Sequence, residues 1–154
     1  GVVLRTTMIV GHPGEGKRAF AELLEFVESA RFERLGAFKY SEEEGTYGAE
    51  NFKDSVRAKT KQERLDALMS LQSGISLEFN RSRIGSEIMV IVDDFVDGVL
   101  VCRSEFESPE VDGEILVRPD SASDVDPYSL IGEFIKVKVT GADEYDLIAE
   151  IVEL

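Results

Sequence analysis

Two groups of residues in this 154-residue chain have the types and spacing to do chemistry. The first is the run Gly11 to Arg18, G-H-P-G-E-G-K-R, which follows an apolar stretch and precedes an amphipathic one. Gly11, Gly16 and Lys17 stand at the spacing of a phosphate-binding loop, and Met89 to Asp94, M-V-I-V-D-D, has the form of the strand that accompanies one. A P-loop-like nucleotide-binding protein is therefore one alternative, but a poor fit. Such a loop needs a Ser or Thr hydroxyl after the lysine to hold magnesium, and Arg18 stands there instead. Pro13 also removes one of the backbone donors that cradle a phosphate. A structural turn accounts for Gly11, Pro13 and Gly14 equally well.

The second group is acidic. Residues 1–82 hold 12 Lys and Arg against 13 Asp and Glu, and residues 83–154 hold 5 against 18, so the net charge of −14 divides into −1 and −13. A surface so charged gathers cations and basic proteins and repels nucleic-acid phosphate. The candidate contacts are Asp93, Asp94, Glu105, Glu107, Glu110 and Asp112, with Asp143, Glu144 and Asp146 further on. A merely solubilising surface is the plain alternative. Calcium fits less well, because Asp120, Asp124 and Asp126 lack the spacing, central glycine and terminal glutamate of a calcium loop, and no metal site is expected. The one cysteine, Cys102, ends the apolar run from Val99 and is expected to be buried and inert, in keeping with a reducing compartment.

These residues need elements to position them. Val2 to Val10 is a β-branched run typical of a strand buried on both faces, and it begins without an initiator methionine. Phe20, Leu23, Leu24, Val27 and Ala30 form one helical stripe, and Leu35 to Tyr40 supplies a second strand. Strand, helix and strand at this spacing predict a right-handed βαβ unit with parallel strands. Two strands and a helix lack a core of their own, so a C-terminal fragment of a larger α/β domain is expected, with self-association through its truncated sheet. After the acidic loop Ser41 to Gly45, Thr60-Lys61-Gln62-Glu63 fits a capping box. Leu65, Leu68, Gln72, Ile75 and Phe79 then carry a helix to about Ser82.

From Ser86 the period changes to that of strands. Ile88 to Val92, Val99 to Arg103, Ile115 to Val117, Phe134 to Val139 and Leu147 to Val152 are five short strands, with Asp97-Gly98 and Asp112-Gly113 as turns and an exposed loop from Pro119 to Leu130. They predict a small closed barrel, and the domains expected are 1–82 and 83–154. With 43% hydrophobic residues the chain is globular, and no apolar run nears the ~20 residues of a membrane span. A soluble cytoplasmic protein with no membrane partner is expected.

Leu4 to Glu15 (L-R-T-T-M-I-V-G-H-P-G-E), Phe20 to Val27 (F-A-E-L-L-E-F-V), Arg31 to Thr46 (R-F-E-R-L-G-A-F-K-Y-S-E-E-E-G-T) and Lys61 to Met69 (K-Q-E-R-L-D-A-L-M) resemble the C-terminal part of the radical SAM methylthiotransferase barrel. The second half resembles the TRAM module of that family. Ile131 to Leu147 (I-G-E-F-I-K-V-K-V-T-G-A-D-E-Y-D-L) is similar to the RimO type, which methylthiolates an aspartate of a small-subunit ribosomal protein, rather than to the tRNA-modifying branch. The fold implied is an α/β fragment, the C-terminal βαβ and long helix of a partial TIM barrel, followed by an all-β, five-stranded, OB-like TRAM barrel.

For the full-length parent the resemblance implies S-adenosylmethionine and two 4Fe–4S clusters, each on three cysteines. Cys102 alone cannot hold a cluster, so neither bound cofactor nor catalysis is expected of this fragment. The resemblance also implies that Ile9 to Glu15 forms part of the wall of the S-adenosylmethionine site. Gly11 and Gly14 would admit close backbone approach, the backbone near Ile9 would meet the adenine, and His12 and Glu15 would stand within reach. Gly16-Lys17-Arg18 departs from the family's usual helix start. The partner implied is a basic small-subunit ribosomal protein docked on the acidic module. A tRNA methylthiotransferase with an RNA-binding TRAM module is the alternative, which the charge disfavours.

Overall fold

The computed structural model describes residues 2–109, 111–119 and 125–153. It divides into two compact units, 1–75 and 76–154. In the first, β1 (Arg5–Val10) and β2 (Arg34–Lys39) pair in parallel, with Arg5 opposite Arg34 and Val10 opposite Lys39. Parallel neighbours require a crossover, and α1 (Lys17–Ala30) supplies it. The stripe of α1 packs Val27, Phe20, Leu23 and Leu24 against Val10, Leu35, Leu68 and Ile75.

One face of this small sheet is therefore covered, through Met8, Val10, Leu35 and Ala37. The other presents Ile9 and Phe38, 57% and 64% exposed. The β-branched run predicts burial on both faces, and the structure corrects this: exposure alternates along β1, because the helices of this unit lie on one side only.

A short helix that the sequence pattern does not announce, α2 (Tyr47–Asn51), is capped by Thr46, whose Oγ1 accepts from the Ala49 N–H at 3.3 Å. The long helix α3 (Ala58–Ser82) opens before Thr60. The Lys61 N–H donates to the Arg57 carbonyl at 3.0 Å, so Thr60 lies inside the first turn and does not serve as its cap. The division between the units falls within α3, after Ile75. Asn80, fully buried, shows why its last turns belong with the second unit: its Nδ2 donates to the carbonyls of Asp143 and Tyr145 at 3.1 and 3.3 Å.

The second unit is a closed barrel of β3 (Glu87–Val96), β4 (Val99–Arg103), β5 (Ile115–Arg118), β7 (Leu147–Glu153) and β6 (Phe134–Ala142), in that order around the sheet. All pairs are antiparallel except β5 with β7. Closure leaves no strand edge open. Its interior is filled by alternate residues of every strand, among them Val90, Val92, Leu100, Ile115, Val137, Val139 and Leu147. Asp97 and Gly98 have φ of 52° and 81°, the paired positive values of a two-residue hairpin turn. A 3-10 turn, Pro127–Leu130, lies in the predicted loop and packs Leu130 on the core. Among the described residues no helix is long and apolar enough to cross a membrane.

Candidate functional site

β1 delivers the chain into the glycine-rich loop at Gly11, whose φ is 76°. A Cβ there would overlap Cγ of Lys61, so α3 and the loop backbone touch where only glycine fits. Lys61 is buried, its Nζ donating to the Tyr40 carbonyl at 2.9 Å and to Asp54 Oδ2 at 2.6 Å. Gly14, with φ of 87°, has open space at its Cβ position.

Glu15 closes the loop on itself. Its Oε1 accepts from the Gly11 N–H at 3.0 Å and from Arg64 Nη1 at 2.6 Å, and that same nitrogen donates to the Glu15 carbonyl at 3.0 Å. The two side chains are only 12% and 10% exposed, and the guanidinium lies 5.5 Å from the Phe20 ring centroid. The loop's own carboxylate thus takes the Gly11 amide that a bound phosphate would use, a third physical reason against the nucleotide reading. Of the carboxylate oxygens, Oε1 is engaged, so Glu15 acts on the loop's shape. Lys61 and Arg64 escape a motif search of the loop. Their signal is two basic residues three apart on the face that continues into Leu65 and Leu68, cations placed where a helix buries its apolar stripe.

His12 is exposed and belongs to an aromatic cluster, 5.0 Å from the Tyr40 ring and 6.0 Å from Phe52, both edge to face. Its Nδ1 lies 2.9 Å from the Pro13 carbonyl, which assigns the proton to that nitrogen. Ile9 stands on the open face of the sheet.

In the barrel unit, a β-bulge between Val92 and Asp94 turns Asp93 and Asp94 both outward, where strict alternation would hide one of them. Asp93 meets Arg103 Nε at 3.0 Å, and Asp94 accepts from the Phe95 N–H at 2.7 Å. With Asp112 and Glu114 they line a groove of about 510 Å³. Asp112 Oδ2 accepts from the Ser108 N–H at 2.7 Å. Asp143, Glu144 and Asp146 line a separate hollow of about 390 Å³, where Asp143 holds a turn through the N–H groups of Tyr145 and Asp146. Glu105 is exposed, and Glu110, like Asp120 and Asp124, lies outside the described residues.

Glu107 lines the same groove as Asp93 and Asp94 but keeps its carboxylate buried, and the structure corrects its place among the open candidate contacts. Its side chain is 3% exposed and is engaged by Arg83 Nη1 at 2.6 Å, by the Ser104 N–H at 3.0 Å and by the Ser104 hydroxyl. Arg83 lies between Phe79 and Phe106, 5.8 and 5.4 Å from their ring centroids. Burial pushes the Glu107 carboxyl up, but the Ser104 hydroxyl and the Arg83 charge outweigh it, leaving its pKa below the ordinary 4.5. Cys102 is buried in the core, and burial, with Asp93 adding, pushes its thiol up to about 12. A thiol so placed is a poor thiolate donor, and among the described residues no cluster of His, Cys, Asp and Glu could hold a metal ion.

Residues 84–152 match the family model described as TRAM domain. Over 152 residues the chain is 49% identical to a protein of Phocaeicola vulgatus named ribosomal protein uS12 methylthiotransferase RimO, covering 99% of this chain and 34% of that protein. Proteins of the same name from Porphyromonas gingivalis and Cytophaga hutchinsonii are 48% and 46% identical over 153 residues, with the same coverage. The chain spans about a third of the length of these curated relatives. Among solved structures, the apo form of Mycoplasma genitalium RNase R aligns at a TM-score of 0.39 and 11% identity over 61% of this chain and 17% of that one, too low a score to bear on function. With nearly half its residues identical along 99% of its length, the chain is similar to about a third of these proteins named RimO, and its barrel matches the TRAM domain model.

Proposed function

We propose that this chain is part of a cytoplasmic radical SAM enzyme that methylthiolates an aspartate of ribosomal protein uS12, and that its acidic TRAM barrel docks that basic substrate. The observation that carries the reading is the identity, along 99% of the chain, to proteins named for that reaction. The charge supports the docking role: 5 basic against 18 acidic residues in 83–154 repel phosphate and attract a basic protein. The same imbalance disfavours a tRNA-modifying alternative.

In this reading β1, α1, β2 and α3 are the closing part of a partial TIM barrel, whose further strands would cover Ile9 and Phe38. The chain's own residues suit an adenosyl ligand in two respects. Ile9 offers an apolar side chain on the open face, and Gly14 leaves room for a close backbone approach. Bound there, S-adenosylmethionine supplies the radical chemistry. Glu15, Arg64 and Lys61 hold the loop that would meet it. Iron–sulfur clusters do not fit these residues, since Cys102 is the one thiol and is buried in the barrel core. Cluster ligands would have to come from outside the 154 residues, and the chain by itself would be inactive.

Binding to purified uS12, followed by fluorescence anisotropy across a salt series, tests the docking role. Affinity should fall steeply as salt rises. Tighter binding to tRNA than to uS12 at one ionic strength would overturn it.

A further inference from the structure

The outer face of β3 carries a second groove beside the acidic one. Val90 and Val92 point into the barrel, so Met89 and Ile91 point out. The register sets Phe134 of β6 opposite Ile91, and Arg103 of β4 opposite it on the other side. Met89 is 54% and Phe134 66% exposed, large apolar areas for a soluble surface. Together with Phe106 they line a groove of about 570 Å³ flanked by Glu87 and Glu105.

The charges around the two grooves are unbalanced. Of the cations on this face, Lys136 is engaged by Glu87 at 2.7 Å and Arg103 by Asp93 at 3.0 Å, while Lys138 lies opposite Glu87 in the register. Asp94, Glu105 and Glu114 have no basic partner among the described residues. Arg103 lines both grooves, so they adjoin. An apolar trough beside a surplus of negative charge matches a chain segment that offers an apolar side chain close to Lys or Arg. A single-stranded nucleic acid would need several stacking aromatics and a basic track, and this face has Phe134, Phe106 and a negative surplus instead.

We propose that the outer face of β3 is a two-part docking site for an extended segment of a basic protein, with an apolar side chain in the Met89–Ile91–Phe134 groove and a Lys or Arg over Asp94 and Glu114. This site rests on the docking function proposed above and gives it an address. Nothing in the charge tally alone requires the apolar half.

Three variants of the full chain separate the possibilities, each with uS12 as probe and far-UV circular dichroism as the check on folding. Met89→Ser with Phe134→Ser should weaken binding about tenfold and leave the salt dependence unchanged. Asp94→Asn with Glu114→Gln should weaken it and flatten the salt dependence. Glu150→Gln, on β7 and outside both grooves, should bind like the unmodified chain. Amide hydrogen exchange of the unmodified chain should show new protection at Met89 to Asp94 on binding, a readout that no variant's folding affects. If uS12 binds but both groove variants match the unmodified chain and β3 gains no protection, the site is wrong while the docking function stands. If uS12 does not bind at low salt, the docking function itself fails. Tighter binding of tRNA, weakened by the apolar pair, would overturn the choice of a protein partner.

Discussion

Gly11 shows how much a single position can decide. Its positive φ and its contact with Lys61 are separate demands, and both are met only without a Cβ. Gly11→Ala should destabilise the first unit by about 2 kcal/mol in urea denaturation, combining left-handed strain with overpacking. In a Lys61→Ala background the penalty should shrink to the backbone part, about 1 kcal/mol; an unchanged penalty would separate Gly11 from Lys61. The glycines of this loop are legible in the sequence because their chemistry is local. Glu15 is visible as a loop residue, but its role is not, since Arg64 reaches it from 49 positions away.

At the scale of elements, the end of α3 and the loop after β4 are joined by Arg83, Glu107 and Ser104. Removing one partner of a buried ion pair strands the other, so Arg83→Ala should cost about 3 kcal/mol of barrel stability. The pair also sets an acid dependence. The Glu107 pKa is lower folded than unfolded, so its contribution is present above the ordinary 4.5 and is lost as pH falls through the lower folded value. In acid titrations followed by circular dichroism, Glu107→Gln should lose less stability than the unmodified chain as pH falls below the ordinary 4.5. The strands and the Asp97-Gly98 turn are legible because alternation and turn chemistry are local signals. The bulge that exposes both Asp93 and Asp94 is not, because it is a property of pairing with β4. The start of α3 is displaced for a related reason, since the backbone bond from Lys61 to Arg57 prevails over the capping pattern at Thr60.

On the scale of the whole molecule, the two units differ in how complete they are. The barrel closes on itself, whereas the first unit leaves Ile9 and Phe38 open on one sheet face. That face should drive self-association of this chain, seen as sedimentation that grows faster with concentration, and Phe38→Lys should return it to monomer. A monomer at every concentration would count against it.

The amino-acid sequence by itself determined the parallel βαβ order, the five-stranded barrel, the asymmetry of charge and, through long shared motifs, the likeness to the RimO proteins. Each rests on periodicity, composition or contiguous residues. Only the tertiary structure decided which carboxylates face solvent. It took Glu107 into a buried pair with Arg83, turned Asp94 outward through a bulge, and brought Lys61 and Arg64 to the loop at Gly11. Burial and ion pairing depend on what distant segments bring together, and no local pattern encodes that.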